Sequence, residues 1–219
     1  MLIEARELYR FYHSGDEEVK ALRGVDICVA KGELIALIGP SGSGKSTLLH
    51  CLAGLDEPDG GEVFIEDQRM TRRSELVKSR IRSRAIGTML QTNNLFDHLT
   101  IEQNVDFVQG ISRIGNTSWT RELLDNLDLL SRQAARPLEL SGGERARASL
   151  AVAMARRPKI LILDEPTGEV DAEGEVVIIE MLKRHCKGGG AVVVATHNQA
   201  LSKQATRILP IHDGRIKHG

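Results

Sequence analysis

The run Gly39-Pro40-Ser41-Gly42-Ser43-Gly44-Lys45-Ser46 has the spacing GxxxxGK[ST], directly after the apolar stretch Leu34 to Ile38 and at the opening of a helix-like segment. Glycines there let successive backbone N–H groups converge on an anion, and a helix N-terminus adds its partial positive charge. Lys45 then reaches the outer phosphates and the Ser46 hydroxyl can take Mg²⁺. This chemistry is nucleoside-triphosphate binding, with Gly39, Pro40, Ser41, Gly42, Ser43, Gly44, Lys45, Ser46 and Thr47 as the binding residues. A second constellation is Ile160-Leu161-Ile162-Leu163-Asp164-Glu165, an apolar run ending in two acids. At the carboxyl edge of a strand beside a phosphate loop, Asp164 can complete the Mg²⁺ shell. Glu165, alternating to the other face, can orient or deprotonate an attacking water. Read alone, the same pair could equally cap a following helix. The third is Leu140-Ser141-Gly142-Gly143-Glu144, an S-x-x-E capping box. Its two glycines leave N–H groups open to an anion, so it is either a plain cap or a second phosphate reader.

These residues need elements to hold them. The runs Leu34 to Ile38, Ile160 to Leu163 and Ala191 to Ala195, with a weaker one at Arg207 to Ile211, show no polar alternation, the pattern of parallel strands buried on both faces. Between them lie stretches with apolar residues at helical spacing: Lys45 to Ala53, Ile101 to Gln109, Thr120 to Leu130, Glu144 to Ala155 and Val176 to Lys187. The alternation predicts an α/β fold of βαβ units with a mainly parallel sheet. No comparable strand run occurs from about Gln91 to Ala155, which reads as an inserted α-helical subdomain within one domain, 1–219, whose core is about 1–90 and 156–219. The first 30 residues alternate around Leu2 to Leu8 and Val25 to Val29, with a turn at His13 to Asp16, and read as a small N-terminal antiparallel β subdomain.

Composition narrows the class. Lys plus Arg total 29 against 30 Asp plus Glu, a net charge of −1, which argues against a generic nucleic-acid or anionic-lipid binder. Aromatic residues make up only 3%, too few for a base-stacking surface. No apolar run approaches the roughly 20 residues of a membrane span. The start MLIEARELYR places acids where a secretory leader has a basic and then a long apolar stretch, so a chain that stays in the cytoplasm is expected. Cys28, Cys51 and Cys186 have no CxxC spacing and fit reduced, buried thiols, and the seven histidines show no metal-binding spacing. Trp119 reads as packing.

Taken together, these motifs resemble the nucleotide-binding subunit of an ATP-binding-cassette transporter over essentially the whole chain. Gly39 to Ser46 resembles the Walker A loop and Gln91 the Q-loop. Leu140 to Glu144 resembles the family signature, Leu163 to Thr167 the Walker B end, Asp171 the D-loop and His197 the switch histidine. The resemblance implies a P-loop NTPase (RecA-like) core that binds ATP and Mg²⁺, with Ser46, Gln91 and Asp164 toward the metal and Tyr12 stacked on adenine. It further implies a head-to-tail dimer, a homodimer or a heterodimer with a related cassette. In that dimer Ser141, Gly142 and Gly143 of one subunit close on the triphosphate of the other, and Asp171 lies in the crossing loop. Glu165, His197 and Gln91 would carry hydrolysis, His197 by touching the γ-phosphate.

A closer resemblance is to the short exporter-type cassettes that serve macrolide-efflux, lipoprotein-releasing and cell-division membrane proteins. Gly54-Leu55-Asp56-Glu57-Pro58, Gly61-Glu62-Val63, Ile86-Gly87, Asn94-Leu95, Leu99-Thr100 and Asn104-Val105 carry it. The implied partner is an integral membrane permease, with the protein peripheral on the cytoplasmic face, the segment Gln91 to Ser112 as the lever, and no nucleic acid involved. Two positions depart from the family pattern. Gly168-Glu169-Val170-Asp171 stands where Ser-Ala-Leu-Asp is usual, changing the loop that would cross the dimer, and Val152 stands where an Arg is usual. The segment Arg69 to Arg84 holds seven Lys or Arg against Glu75, either a solvated helix face or a contact for lipid headgroups or an acidic protein. Two rival functions share these motifs: a cassette that regulates a membrane protein without transport, and a soluble ATPase acting on nucleic acid or ribosomes.

Overall fold

The computed structural model describes residues 1–14, 17–92, 94–110 and 117–217. Its strands are β1 (Ile3–Ser14), β2 (Glu17–Val29), β3 (Leu34–Ile38), β4 (Gly60–Ile65), β5 (Gln68–Arg69), β6 (Ile86–Met89), β7 (Ile160–Asp164), β8 (Ala191–Ala195), β9 (Arg207–His212) and β10 (Arg215–Ile216). The helices are α1 (Lys45–Leu52), α2 (Glu75–Ala85), α3 (Ile101–Gly110), α4 (Thr117–Asn126), α5 (Gly142–Met154), α6 (Ala172–Lys187) and α7 (Gln199–Lys203).

The three strongest apolar runs become neighbours because each has two faces to bury. The main sheet has the order β10-β9-β3-β8-β7-β6, parallel except for the final β9–β10 pair. Ile35, Leu37, Ile160, Ile162, Val193 and Ala195 pack on one side with Leu48, Leu49 and Leu52 of α1. The alternate residues Leu34, Ala36, Leu161, Leu163, Val192 and Val194 pack on the other with α5 and α6. Each buried aliphatic side chain contributes about 1.5–3 kcal/mol, which is why neither face tolerates polar alternation. Leu37 pairs with Ala195 and Asp164 pairs with Ala195, so β3, β7 and β8 end at one level and deliver their following loops to the same edge.

The α/β expectation holds, with corrections at shorter elements. The antiparallel sheet is not confined to the first 30 residues: its order is β2-β1-β4-β5, with Ile3 facing both Val29 and Ile65. The glycine pair that opens β4 obscures the strand in the sequence. Gly15 and Asp16 of the expected turn lie outside the described residues, as do Asn93, Ile111 and Ser112 of the lever segment. α4 ends at Asn126 rather than Leu130, because Asp128 takes a left-handed backbone (φ 52) and Leu129 N–H turns back to Leu124 O. α5 and α6 begin earlier than their apolar periods suggest, at the residues after Ser141 and Asp171, because those two side chains cap them.

Part of the basic stretch is the helix α2, whose charges are largely neutralised: Lys78 by Glu57, Arg82 by Glu75 and Arg84 by Glu66. Trp119 packs as expected, its indole donating to Ala155 O at 3.1 Å with the Arg157 guanidinium over the ring. Cys51 and Cys186 are buried, which pushes their thiols up to about 12 and about 11, whereas Cys28 is only half-buried. Among the described residues no helix is long and apolar enough to cross a membrane.

Candidate functional site

The loop between β3 and α1 is built on close backbone approach. Gly44 has φ 103, and a Cβ there would stand 2.3 Å from Ala21 O, so glycine alone lets the loop seat against β2. Gly214 N–H donates to Ser43 O at 3.0 Å, anchoring the loop to the β9–β10 turn. The first turn of α1 then presents N–H groups with no helical acceptor. Lys45 is buried (7% exposed), and its ammonium donates to Gly39 O at 2.8 Å and Pro40 O at 3.0 Å. The cation is thus held inside the loop by neutral carbonyls, which an incoming phosphate oxygen outcompetes as a charged acceptor.

At the end of β7, Asp164 is buried (6% exposed), and among the described residues no side chain donates to its carboxylate. A buried carboxylate in that condition, lining one cleft with Ser46 and Gln91, gives oxygen donors of the kind a hard divalent cation takes together with water and phosphate. Glu165 adopts the left-handed backbone (φ 49), a strained state worth about 1–3 kcal/mol for a non-glycine residue. Its N–H to Ala195 O (2.9 Å) and its carbonyl, accepting from Gly168 N–H (3.1 Å), hold it there. The carboxylate Oε2 accepts from the His197 backbone N–H at 3.2 Å, and His197 Nε2 lies 3.5 Å from Oε1. Oε1 accepts no hydrogen bond from the described residues.

A cleft of about 1050 Å³ runs past these groups. Its walls include Ser41 to Thr47, Tyr12, Gln91, Asp164, Glu165 and His197, so the structure gathers most of the sequence-predicted site. Gly39 and Pro40 lie behind the loop, accepting from Lys45 rather than lining the cleft. Gly142 reaches the rim, while Ser141, Gly143 and Asp171 lie off the lining. The capping box forms in full: Ser141 Oγ accepts from Glu144 N–H at 3.2 Å and Glu144 Oε2 from Ser141 N–H at 2.9 Å. The Ser141 backbone N–H hydrogen bond holds the Glu144 carboxyl below its ordinary range. Asp171 Oδ1 accepts from Gly174 N–H at 3.0 Å.

Several positioning residues escaped the sequence reading. The Tyr12 hydroxyl donates to Asp56 at 2.7 Å, and the Arg10 guanidinium sits 4.6 Å from the ring centroid while also bonding Asp56. Burial and then the Asp56 contact push the Tyr12 hydroxyl up; burial acts against Asp56, but Tyr12 and Arg10 outweigh it and hold that carboxyl low. The ring is therefore oriented by Arg10, two positions away, and by Asp56, 44 positions away, the second of which no local pattern discloses. After β6, Asn94 accepts from Leu90 N–H at 2.8 Å and turns the segment that carries Gln91. Buried Asn104 fastens the next loop, accepting from Phe96 N–H at 2.7 Å and donating to Thr100 O at 2.9 Å. The Asn-Leu and Asn-Val dipeptides were the available signal.

Comparison with known proteins agrees with this geometry. A family profile described as ABC transporter matches residues 22–168. An ABC transporter ATP-binding protein of Thermotoga maritima is 38% identical over 99% of this chain and 94% of its own length. The lipoprotein-releasing system ATP-binding protein LolD 2 of Caulobacter vibrioides is 38% identical over 99% of this chain and 96% of its own. The macrolide export ATP-binding/permease protein MacB of Photorhabdus laumondii is 35% identical over 98% of this chain, which spans 34% of that longer protein. The dimeric ATP-binding cassette MJ0796, solved in a post-hydrolysis state with ADP and Pi, superposes with a TM-score of 0.93 at 30% identity, over 99% of this chain and 97% of that one. With its phosphate loop, paired acids and histidine meeting in one cleft, the chain belongs to the ABC transporter family as an ATP-binding and ATP-hydrolysing cassette.

Proposed function

We propose that this cassette binds ATP with Mg²⁺, closes head to tail on a second copy and powers a separate integral membrane permease in the export or extraction of a substrate from the membrane. One observation supports the dimer: the ATP-binding cassette MJ0796, with which the chain superposes at a TM-score of 0.93, is dimeric with ADP and Pi bound. The lipoprotein-releasing and macrolide-export names of the relatives support the export direction. In this reading Ser41 to Thr47 wrap the phosphates, and Lys45 shifts from the loop carbonyls to the outer phosphates. Tyr12 faces the base. Ser46, Asp164 and Gln91 hold Mg²⁺, which when bound neutralises charge on the phosphate oxygens. Glu165 orients a water and takes its proton, and His197 donates to the γ-phosphate. The helical segment 91–155 carries the change at Gln91 to the permease, on the cytoplasmic face of the membrane.

Affinity purification of the tagged Glu165→Gln chain with ATP from detergent-solubilised membranes tests this. A stoichiometric polytopic membrane protein is expected; recovery of only soluble proteins or nucleic acid would overturn the permease reading.

A further inference from the structure

Glu169 stands where the family usually has alanine, and its surroundings give that carboxylate a position to influence. A Cβ built on Gly142 would lie 2.9 Å from Glu169 O, 3.3 Å from its Cβ and 3.5 Å from its Oε2. The loop 168–171 therefore lies directly on the first turn of α5. Val170 and Asp171 keep it there: Val170 Cγ1 would be 3.6 Å from a Cβ on Gly143, and Asp171 caps α6. Glu169 is exposed and lines the ATP cleft. It has no hydrogen bond or ion pair among the described residues, and it stands against the partly positive start of α5.

We infer that Glu169 opposes closure of the ATP-bound dimer, as an intramolecular anion on the helix start to which the partner copy's triphosphate must come. The inference rests on the head-to-tail reading above. A triphosphate arriving at Ser141 to Gly143 meets a carboxylate already beside Gly142. The two anions then repel each other at the same helix start. A two-fold dimer contains this contact twice. The alanine usual at this position brings no such charge, so this chain needs more binding energy from ATP to reach the same closed state.

The test uses the full chain carrying Glu165→Gln, with saturating ATP and Mg²⁺, and measures the monomer–dimer constant by sedimentation equilibrium. Adding Glu169→Ala or Glu169→Gln is expected to tighten the dimer about threefold to thirtyfold, from two charge–helix contacts, and to flatten its salt dependence. Monomer affinity for a fluorescent ATP analogue is measured alongside, so that dimer constants are compared at equal nucleotide occupancy. A dimer equal to or weaker than that of the chain with Glu169 intact overturns the inference and makes the carboxylate neutral or a cross-dimer ion-pair partner. If the Glu165→Gln chain forms no dimer with ATP at all, the head-to-tail reading itself fails and the inference falls with it.

Discussion

At the scale of single residues the chemistry turns on Glu165. Its left-handed backbone is held by Ala195 and Gly168, and its Oε1 lies 3.5 Å from His197 Nε2 without accepting a hydrogen bond from the described residues. A general base contributes about 10²–10⁴ in rate, so Glu165→Gln should lower phosphate release by that factor while leaving nucleotide affinity intact. Coupled measurements of phosphate release and fluorescent-nucleotide binding check it, and turnover within tenfold of the parent would remove Glu165 from the role. Lys45, Asp164 and Glu165 were legible because each follows an apolar run in a recognisable motif, whereas His197 was identified only through the family resemblance. That Glu165 and His197 meet was implied by that resemblance alone, since the two are 32 positions apart and come together through the order of the sheet.

At the scale of elements, the contact between β6 and α5 joins the sheet to the helical segment. A Cβ on Gly87 would stand 2.1 Å from Ala153 O and 2.9 Å from the Pro158 ring, backbone and rigid ring rather than a yielding side chain. Gly87→Ala should therefore push β6 away from α5 and cost about 1–3 kcal/mol. Thermal unfolding should show this as a fall of about 2–12 °C in Tm, given about 2–4 °C per kcal/mol for a chain of this size. An unchanged Tm would mean that β6 can shift freely. Because Gln91 follows this strand, the same variant should also weaken the coupling of ATP turnover to a partner. The strand itself, four residues long and half-buried, offers too short a pattern to be read without knowing that β7 lies beside it.

For the whole molecule, three groups that titrate below neutrality act in one direction. Burial lowers the His185 imidazole from its ordinary value of 6.5, with its ring packed where a Gly190 Cβ would be. Glu66 is held low first by the Lys159 hydrogen bond, and Glu144 by Ser141 N–H. In each case the folded pKa lies below the unfolded one, so the unfolded chain binds more protons and stability falls as pH falls. His185 contributes first, below about pH 6.5, and the carboxylates only below about pH 4.5. Tm should decline between pH 7.5 and 5.5, and His185→Gln should flatten that part of the curve. An unaltered slope would assign the decline to other groups.

The sequence by itself determined the phosphate loop, the two-sided core strands, the α/β class and the capping box of α5. These are local devices: a glycine pattern fixes backbone N–H directions, an unbroken apolar run demands two covered faces, and Ser141 with Glu144 closes its own hydrogen bonds within four residues. Only the tertiary structure decided which strands complete the small sheet, what orients Tyr12, how Asn104 fastens the loop beyond Gln91, and that Glu169 lies on Gly142. Those contacts join segments from eight to more than forty positions apart. Their energies depend on which parallel neighbours the sheet selects, a choice made by burial across the whole chain and written at no one place along it.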